Sequence, residues 1–453
     1  MKHGELIFGT DGVRDRAGQG YLAPDAIVKL ARATSWVLAE GGDSAGRAVL
    51  IGRDTRESGP TIVQFLHTAF RYAGIPVVDL GVIPTPGVAF LTAAEKHALL
   101  GVVVSASHNP AEYNGIKFLA TDGSKVAPEF ERRVSDAYWR SERLPNARLA
   151  GALRSDEESV DRYSKSLISR MRHPERLAGR KVVLDTAHGA TFEAAPRVFR
   201  ALGAEVVTIG DRPDGRNINS GCGAVHPDGL ARAVVEQGAW SGFSFDGDGD
   251  RMIPVAGGGA ILDGDHVLAI AGKSLRRAGR LPRGTVVATV MSNLGLEKAL
   301  AAEGLRLLRT PVGDRHVYEA MLAGDHPIGG EQSGHLIFLE EARTGDGILA
   351  ALKLIDSLEE GNLDMAAQAR IMVRYPQVLL NYKVPRKVPF EELPRVGKAL
   401  ADAEAELSGD GRIVLRYSGT EPLARVMIEG PEKGQIERLA KRIGEEILAS
   451  IKT

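Results

Sequence analysis

One pattern recurs three times in this chain of 453 residues and constrains its fold more than any other feature. A short β-branched run is followed by a polar loop, an amphipathic stretch of helix length, a glycine and a second apolar run. The copies begin at "AVLIGRDTRESGP", "KVVLDTAHGATFE" and "TVVATVMSNLGLE". Strand–helix–strand units with short connections require parallel pairing and helices on both faces of a sheet. Such units can resemble one another by chance, but three copies predict three similar α/β domains built on one plan.

A glycine ends each of the three helical stretches. These glycines are Gly74, Gly203 and Gly304. Helices often end on a residue in the left-handed conformation, which glycine adopts without the strain that a Cβ atom causes. We therefore expect a positive φ angle at all three positions.

The pattern changes after Arg374. The segment "YPQVLLNYKVP" predicts a strand, "GRIVLRYSGTEPLARVMIEG" predicts two strands joined by a polar loop, and the charged stretch from Glu432 predicts a helix. The predicted fold class is therefore α/β, with three similar α/β domains of mixed or parallel sheets and a C-terminal α+β domain around a central cleft. The predicted domains are residues 1–153, 154–256, 257–372 and 373–453. Charged stretches near 155–173 and 356–369 are predicted to join neighbouring domains.

Charge and composition exclude several classes of partner. The chain has 57 basic and 58 acidic residues, so it lacks the basic excess typical of proteins that bind nucleic acid or an anionic membrane surface. Its one cysteine, Cys222, excludes an internal disulfide and fits a reducing compartment. The first residues lack the apolar core of a signal peptide, and no apolar run is long enough to span a bilayer. We expect a cytoplasmic protein that has no nucleic-acid or membrane partner and binds anions through local sites.

The segment "FSFDGDGDRMIPV" places three carboxylates close together. Asp246, Asp248 and Asp250 alternate with two glycines. Alternate side chains of an extended backbone point the same way, so the three carboxylates converge and repel one another unless a cation is present. An all-oxygen ligand set favours Mg²⁺ over zinc. A solvated acidic turn is the alternative, but apolar residues on both sides favour a metal site.

The segment "VVVSASHNPAEYNGIKFL" leaves a predicted strand at Val104. Loops at the carboxyl ends of strands bind ligands in open α/β sheets, and a serine there needs a base, a metal or an electrophilic environment to react. Ser107 is the candidate to carry a phosphoryl group, with His108 orienting it and Lys117 donating or accepting a proton. Alternatively, Ser107 and Asn109 satisfy a turn, His108 packs and Lys117 extends to solvent. This loop alone supports both interpretations equally. The chain has no GxxxxGK[ST] loop, so direct use of ATP is not expected.

The segment "LRYSGTEPLARVMIEG" concentrates groups that bind phosphate around a turn between two predicted strands. Hydroxyls, free backbone N–H groups and guanidiniums together form a phosphate cradle. A polar hairpin with surface ion pairs is the alternative, but the arginines at both ends favour phosphate. The candidate residues are Arg416, Ser418, Gly419, Thr420 and Arg425.

The segment "IGGEQSGHLIF" sets Glu331, Ser333 and His335 among glycines before a strand. These polar groups are suited to bind sugar hydroxyls or an amino group, and a buried turn with a capping serine is an equally supported alternative. The nearby "TGDG" at Thr344–Gly347 predicts a helix N-cap rather than a binding site.

Four motifs, "SASHNP", "DGDGDR", "GEQSGH" and "RYSGTEP", stand in the order and spacing of the α-D-phosphohexomutase superfamily, which the chain resembles along nearly its whole length. Within it, the chain is most similar to the branch that acts on glucosamine phosphates. The shared features are "FGTDGVRD", "RPDGRNINSGCGAVHPDGL" and Gln332. The branch that acts on mannose and glucose phosphates more often has methionine at the glutamine position and is the alternative. One departure from the family is Asp15, where glycine is more usual.

The resemblance implies an enzyme that interconverts glucosamine 6-phosphate and glucosamine 1-phosphate through a phosphoserine and a sugar 1,6-bisphosphate. It implies one Mg²⁺ per chain, glucosamine or glucose 1,6-bisphosphate as activator or intermediate, a hexosamine phosphate substrate and a homodimer. Ser107 would be the phosphoserine and would complete the metal site of Asp246, Asp248 and Asp250. The implied catalytic residues are Ser107, His108, Lys117, Arg14 and Arg251. The implied substrate-binding residues are Glu331, Ser333, Arg416, Ser418, Gly419, Thr420 and Arg425.

Two functions of other classes remain as alternatives. The segment "FSFDGDGD" is loosely similar to phosphatases that form an aspartyl phosphate, which hydroxylamine cleaves, whereas phosphoserine resists it. A non-catalytic sensor of sugar phosphates would bind ligand without turnover after phosphorylation of Ser107.

Overall fold

The structure is a computed structural model that describes residues 5–9, 11–41, 46–140, 152–418 and 421–451. Four sheets follow one another along the described chain. The first domain contains the strands β1 (Val13–Arg16), β2 (Ala48–Arg53), β3 (Val77–Val82), β4 (Ala98–Val104), β5 (Tyr113–Leu119) and β6 (Leu153–Ser155). Its helices are α1 (Pro24–Glu40), α2 (Gly59–Tyr72), α3 (Thr85–Ala94) and α4 (Pro128–Trp139).

The second and third domains are smaller. The second contains β7 (Lys181–Asp185), β8 (Glu205–Ile209), β9 (Ser241–Phe245), β10 (Met252–Ala256), α5 (Ser159–Ser169), α6 (Thr191–Ala201) and α7 (Asp228–Glu236). The third contains β11 (Thr285–Thr289), β12 (Arg306–Thr310), β13 (Ile328–Gly330), β14 (Leu336–Phe338), α8 (Gly264–Arg277), α9 (Leu294–Ala302), α10 (Asp314–Gly324), α11 (Gly347–Ser357) and α12 (Met365–Ala369).

The three sheets share one topology. In each sheet, the first strand of the repeated unit (β2, β7 or β11) has a parallel neighbour on each side. One of these two neighbours is followed in the chain by an antiparallel return strand. The corresponding strand orders are β5-β4-β2-β3, β10-β9-β7-β8 and β14-β13-β11-β12. In the first domain, β1 and β6 extend the sheet at its two edges. The predicted repetition and the α/β fold class are confirmed, while the predicted domain limits stay predictions.

The glycines that end the repeated helices have the predicted backbone. The φ angles are +79° at Gly74, +88° at Gly203 and +70° at Gly304. Each of these glycines is followed within three residues by the second strand of its unit. A left-handed residue therefore turns the chain from helix into strand in all three copies.

The fourth domain is an antiparallel sheet covered by helices. It contains β15 (Gln377–Lys383), β16 (Arg412–Tyr417), β17 (Leu423–Glu429), α13 (Pro394–Leu407) and α14 (Lys433–Ser450), with strand order β15-β17-β16. The three predicted strands and the final helix are confirmed. The sequence analysis missed α13, although its signals are present: a proline in the first turn and buried Val396, Ala399 and Ala403 at helical spacing.

The apolar core is continuous through the first three domains and separate in the fourth. Leu50, Phe243 and Leu352, one from each of the first three domains, belong to a single buried cluster. Helix α11 lies within it, and every residue from Gly347 to Ile355 is buried. As predicted, Asp346 caps this helix by accepting a hydrogen bond of 2.9 Å from the backbone N–H of Leu349. The fourth domain has its own cluster around β17 and α14.

The third and fourth domains meet through polar groups. The Asn293 amide donates to the Tyr375 carbonyl and to the Glu429 carboxylate, each at 3.0 Å. The Arg412 guanidinium donates to the carbonyls of Val290 and Ser292 at 3.0 and 2.8 Å. A polar junction of this kind allows relative movement of domains more readily than an apolar one does.

The two predicted joint segments contact each other. The backbone N–H groups of Arg172 and His173, just after α5, donate to the carboxylate of Asp356 at 3.0–3.1 Å. Helix α5 packs against both α3 and α6 and so lies between the first and second domains. Among the described helices, none has the length and apolar character needed to cross a membrane.

The glycine at the end of α9 gives a test of the repeated turn. Gly304→Ala should destabilise the protein by about 1 kcal/mol, because alanine strains the left-handed backbone even though no atom lies within 4 Å of the added Cβ. Gly397→Ala, at an exposed position of helix α13 with equal open space, should stabilise the protein by about 0.5–1 kcal/mol. Thermal unfolding midpoints should therefore move in opposite directions. An unchanged midpoint for Gly304→Ala would contradict the assigned backbone strain.

Candidate active site

Three of the four predicted loops occupy equivalent places in the repeated domains. Each follows the strand that precedes the antiparallel return strand. Ser107 follows β4, Asp246 follows β9 and Glu331 follows β13. The loops also touch: Arg251 forms an isolated β-bridge with His335. The fold therefore brings three motifs that are far apart in the chain to one place.

Ser107 is buried and has an unusual backbone. Its φ angle is +52°, which is rare for a residue other than glycine and costs energy that the surroundings must supply. The Ser107 hydroxyl donates to Oδ2 of Asp246 at 2.7 Å and lies 3.3 Å from Nδ1 of His108. The side chain is therefore directed from the first domain at the aspartate cluster of the second.

A buried ion pair supports the Ser107 backbone. The Ser107 N–H donates to Oγ of Ser105 at 2.9 Å, and the Ser105 hydroxyl donates to Oδ2 of Asp54 at 2.6 Å. The guanidinium Nε of Arg56 donates to the same Asp54 oxygen at 2.9 Å, and neither side chain is exposed to solvent. Burial raises the pKa of Asp54, and Arg56 and Ser105 oppose this shift by stabilising the carboxylate.

Arg56 also holds the loop that follows Ser107. Its two terminal nitrogens donate to the backbone carbonyls of Ser107, Asn109, Pro110 and Tyr113. Asn219, from the second domain, donates to two of these carbonyls, at 2.9 Å to Ser107 and 3.2 Å to Asn109. The sequence analysis missed both residues, although Arg56 lies in the quoted "GRDTRESGP" loop and Asn219 in the quoted "RPDGRNINSG" stretch.

The three aspartates converge as predicted, but for a different reason. Carboxylate oxygens of Asp246, Asp248 and Asp250 lie within 4.8 Å of one another, and all three side chains are buried. The expected extended backbone was wrong, because β9 ends at Phe245 and a tight turn follows, with φ +74° at Gly249. Curvature of the turn, rather than the pleat of a strand, directs the carboxylates inward.

The aspartate cluster fits a Mg²⁺ ion. Oδ1 of Asp248 and Oδ1 of Asp250 are buried without a hydrogen-bond partner, which is costly unless a cation binds there. Burial, followed by the charges of Asp250 and Asp248, raises the pKa of Asp246 well above its ordinary value. Three oxygen ligands in one buried cluster are the donor set that Mg²⁺ prefers.

Close contact between the serine loop and the aspartate loop requires Gly247. A Cβ atom at this position would lie 2.6 Å from the carbonyl oxygen of Ser107 and 2.7 Å from Nδ2 of Asn219. Only glycine therefore lets the two loops approach as they do.

Lys117, on β5, is a buried cation beside the aspartates. Its Nζ lies 2.8 Å from Asp11, 2.9 Å from Asp248 and 3.8 Å from Asp250. Burial lowers the pKa of Lys117, but these carboxylates outweigh it and raise the pKa well above the ordinary value. Two roles were predicted for Lys117, donating or accepting a proton. These contacts favour the donor role, because a protonated amine cannot act as a base.

His108 differs from Lys117 in its protonation. Burial, assisted by the guanidiniums of Arg251 and Arg14, lowers the pKa of His108 to about 4. The imidazole is therefore neutral near pH 7 and able to accept a proton. Arg14 pairs with Asp11, and the Arg251 N–H donates to Asp246 at 3.1 Å. Nε of Arg14 and Nε of Arg251 are buried without a hydrogen-bond partner, although Nε of Arg251 lies 3.8 Å from Oδ1 of Asp250. Both groups could donate to a bound anion.

The "GEQSGH" loop meets the aspartate cluster through His335. Nδ1 of His335 lies 3.6 Å from Asp250, and its Nε2 lies 3.6 Å from Asp314. Glu331 accepts a hydrogen bond of 3.2 Å from the backbone N–H of Gly313, and exposed Ser333 donates to Glu331 at 3.5 Å. The polar side chains of this loop therefore lie at the junction of the second and third domains.

Gln332 does not face the same way as its neighbours. Its amide donates to Oδ2 of Asp263 at 3.1 Å, and Asp263 is the N-cap residue of α8. Gln332, whose identity in the sequence favoured glucosamine phosphates, is therefore hydrogen-bonded to the N-terminus of α8.

The predicted phosphate loop connects β16 and β17. Arg416 and Arg425 are cross-strand partners, and Arg425 donates to Oγ of Ser418 at 3.4 Å. Burial, followed by the charge of Arg425, lowers the pKa of Arg416. Lys387, which the sequence analysis missed, donates to the carbonyl of Ser418 at 2.6 Å. Three cations therefore surround this loop, and a bound anion would relieve their repulsion.

Part of the phosphate loop cannot be compared with the prediction, because Gly419 and Thr420 lie outside the described residues. Between the residues that the structure describes, no hydrogen bond or ion pair joins Arg416, Ser418 or Arg425 to the other three loops. The structure thus unites three predicted loops and leaves the fourth on its own domain.

The chain matches four domain families described as phosphoglucomutase/phosphomannomutase. Alpha/beta/alpha domain I matches residues 5–144, domain II matches 161–259, domain III matches 263–375 and the C-terminal domain matches 379–446. The chain belongs to the phosphoglucomutase/phosphomannomutase family. A relative from Symbiobacterium thermophilum named phosphoglucosamine mutase is 46% identical over 97% of this chain and 98% of its own length.

Solved structures share the fold of this family member. A phosphoglucomutase/phosphomannomutase family protein from Burkholderia thailandensis has a TM-score of 0.81 and 24% identity over 98% of this chain and 97% of its own. An N-acetylphosphoglucosamine mutase from Aspergillus fumigatus, solved with GlcNAc-6P and magnesium, has a TM-score of 0.65 and 17% identity over 98% of this chain and 96% of its own.

The Asp54–Arg56 pair gives a test of how the serine loop is supported. Arg56→Met should destabilise the protein by about 3–5 kcal/mol, because it leaves the buried carboxylate of Asp54 without its cation. Urea denaturation measures the change. Arg216→Met removes an exposed ion pair with Glu57 and should leave the denaturation midpoint unchanged. Equal midpoints for the two variants would show that Arg56 is not needed to hold the loop.

Proposed function

We propose that this protein interconverts glucosamine 6-phosphate and glucosamine 1-phosphate by way of a phosphorylated Ser107. One observation carries the proposal. The backbone of Ser107 has a positive φ angle, and its hydroxyl donates a hydrogen bond to Asp246 in a buried cluster of three carboxylates. The choice of glucosamine is supported by relatives named phosphoglucosamine mutase that are 42–46% identical to this chain. The enzyme is an isomerase that transfers a phosphoryl group within its substrate.

Asp246, Asp248 and Asp250 would hold Mg²⁺, and the phosphate of Ser107 would complete the site. The A. fumigatus structure was solved with magnesium, which supports this assignment. When bound there, Mg²⁺ would offset negative charge on the phosphoryl group. Lys117 adds a fixed positive charge against Asp248, at 2.9 Å.

Phosphoryl transfer needs an anion site and a proton acceptor beside Ser107. Arg14 and Arg251 each have a buried Nε without a hydrogen-bond partner, which would donate to phosphoryl oxygens. As the bond from the phosphorus to Oγ breaks and a bond to the sugar oxygen forms, the hydroxyl of the sugar loses its proton. Neutral His108, 3.3 Å from Oγ, accepts that proton and passes it to the departing Oγ, so that Ser107 leaves as a hydroxyl. In the second transfer His108 takes the proton back from Oγ as Ser107 is phosphorylated again, and the proton goes to the sugar oxygen that loses its phosphoryl group.

The sugar and its second phosphate bind away from Ser107. Glu331 and Ser333 would bind sugar hydroxyls. Arg416, Ser418 and Arg425, with Gly419 and Thr420, would bind the phosphate that is not being transferred. The sugar 1,6-bisphosphate must then reorient in the cleft, so that its two phosphates exchange places between the two anion sites. The separate core and polar junction of the fourth domain are consistent with a cleft that opens for this step.

Further features of the proposal follow from the family resemblance. Glucosamine or glucose 1,6-bisphosphate is the intermediate or activator, the protein is a cytoplasmic homodimer, and the domain limits are residues 1–153, 154–256, 257–372 and 373–453.

Mannose or glucose phosphates are the second candidate substrates. Gln332 is the residue in "GEQSGH" that favours glucosamine, yet its amide is engaged with Asp263. The proposal that the chain prefers the amino sugar therefore rests on its relatives and not on a contact between Gln332 and the sugar.

A comparison of three substrates tests the proposal. Protein phosphorylated at Ser107 is given Mg²⁺ and glucosamine 6-phosphate, glucose 1-phosphate or mannose 1-phosphate, and phosphorus NMR follows each isomer. We expect kcat/KM for glucosamine phosphate to exceed the others by about tenfold or more, because relatives that are 42–46% identical are named phosphoglucosamine mutase. A tenfold preference corresponds to about 1.4 kcal/mol of transition-state binding. Preference for mannose or glucose would move the enzyme to the neighbouring branch.

Ser107→Ala is the control in the same assay. It should lose turnover with all three sugars and keep the unfolding midpoint of the unchanged protein, whereas exposed Ser169→Ala should keep both. A phosphorylated enzyme that hydroxylamine dephosphorylates would indicate an aspartyl phosphate instead.

Arg416 tests the second anion site. Arg416→Ala should raise KM by about tenfold or more, because it removes a charge-assisted hydrogen bond to the non-transferring phosphate, and kcat should change less. Steady-state kinetics with glucosamine 6-phosphate measures both constants. Arg438→Ala, on the exposed face of α14, removes a similar charge from the same domain and should leave KM unchanged. A normal KM for Arg416→Ala would locate the phosphate elsewhere.

A further inference from the structure

Six titratable side chains from three domains form a closed ring beside Ser107. We call it the charge ring; its members, in order, are Asp11, Lys117, Asp250, His335, Asp314 and Lys125. Carboxylates alternate around it with the lysine amines and the imidazole of His335. The first domain supplies Asp11, Lys117 and Lys125, the second supplies Asp250, and the third supplies His335 and Asp314.

Every neighbouring pair in the charge ring is in contact. The six distances between nitrogen and oxygen are 2.8 Å (Asp11–Lys117), 3.8 Å (Lys117–Asp250), 3.6 Å (Asp250–His335), 3.6 Å (His335–Asp314), 2.5 Å (Asp314–Lys125) and 2.6 Å (Lys125–Asp11). No member has a side chain more than 20% exposed. Ion pairs at this burial are screened far less than surface pairs.

Lys125 and Asp314 belong to none of the four motifs, yet they close the ring. Lys125 lies between Asp11 and Asp314, each of which also contacts a group nearer the reacting atoms. Asp11 contacts Lys117 and also Arg14, and Asp314 contacts His335. Both carboxylates are therefore shared between Lys125 and groups of the candidate active site.

The chain next to Asp314 is fixed at the same interface. The Arg315 guanidinium donates to both carboxylate oxygens of Glu131 in the first domain, at 2.7 and 3.1 Å. The backbone N–H of Gly313 donates to Glu331. Three consecutive residues thus hold the third domain against the first and orient Glu331.

We propose that Lys125 and Asp314 are positioning residues that keep Lys117 and His335 directed at the metal-binding carboxylates. The proposal rests on the proposed function, since it gives these two residues a part in the same reaction. Without Lys125, Asp11 and Asp314 would each lack one of their cations while buried. They would then draw Lys117 and His335 away from Asp248 and Asp250.

This displacement has two consequences of opposite sign. Turnover falls, because Lys117 no longer lies where the phosphoryl group transfers, and misplacement by about 1 Å can cost about a hundredfold in rate. Binding of a divalent cation becomes tighter, because Asp248 and Asp250 lose part of their neutralising charge and Lys125 no longer repels the ion. General damage to the site would instead weaken both turnover and metal binding.

The test compares Lys125→Met with three other variants of the full-length protein. Lys125→Arg keeps the charge, exposed Lys96→Met is the matched surface control, and Asp314→Asn removes the partner. Steady-state kinetics with glucosamine 6-phosphate gives kcat and KM. Electron paramagnetic resonance of free Mn²⁺ gives the metal dissociation constant without any turnover.

We expect Lys125→Met to lower kcat by about tenfold to a hundredfold with KM within about threefold, and to tighten Mn²⁺ binding by about twofold or more. Lys125→Arg and Lys96→Met should stay within about twofold of the unchanged protein in kcat. The double variant Lys125→Met with Asp314→Asn should lose less than the product of the two single losses, because the two charges are removed together.

Three results would overturn the inference. The first is an unchanged kcat in Lys125→Met. The second is Mn²⁺ binding that weakens in this variant while kcat falls. The third is a loss of kcat in the double variant that equals the product of the losses in the two single variants. Failure of the proposed function is a separate result, because the unchanged protein would then fail to turn over glucosamine 6-phosphate while its Mn²⁺ binding still reported on the charge ring.

Discussion

Repulsion among three buried carboxylates is the constraint on which this structure depends. Asp246, Asp248 and Asp250 are buried within 4.8 Å of one another, and such a cluster is stable only if other groups offset its charge. The Ser107 hydroxyl contacts Asp246, His335 contacts Asp250, and Lys117 contacts both Asp248 and Asp250. Groups proposed to take part in phosphoryl transfer therefore also lie where the three domains meet.

The repeated topology explains how the site is assembled from distant segments. In each of the first three domains, the loop before the return strand carries a residue of the candidate site: Ser107, Asp246 and Glu331. The three copies share a continuous apolar core, which holds these loops in fixed relation. The fourth domain has another topology and core, and the described residues of its loop form no hydrogen bond or ion pair with the other three loops.

Features governed by neighbouring residues were predictable from the sequence, and features governed by distant partners were not. The glycine turns, the N-cap at Asp346 and the aspartate cluster depend on residues within a few positions. Arg56, Asn219, Lys125 and Asp314 acquire their roles only from contacts with other loops or other domains. The aspartate cluster shows the same limit. The sequence identified the three aspartates, but it predicted an extended backbone where the structure has a tight turn.

The separate core of the fourth domain also bears on what happens when the protein is stressed. Because β17 and α14 pack among themselves and meet the third domain through polar groups, this domain can lose its structure while the shared core of the other three persists. A partly unfolded molecule would still present Ser107 beside its aspartates but would lack the proposed second anion site. Heat or proteolysis would therefore separate the two roles proposed for the intact enzyme: carrying a phosphoryl group and retaining the sugar phosphate.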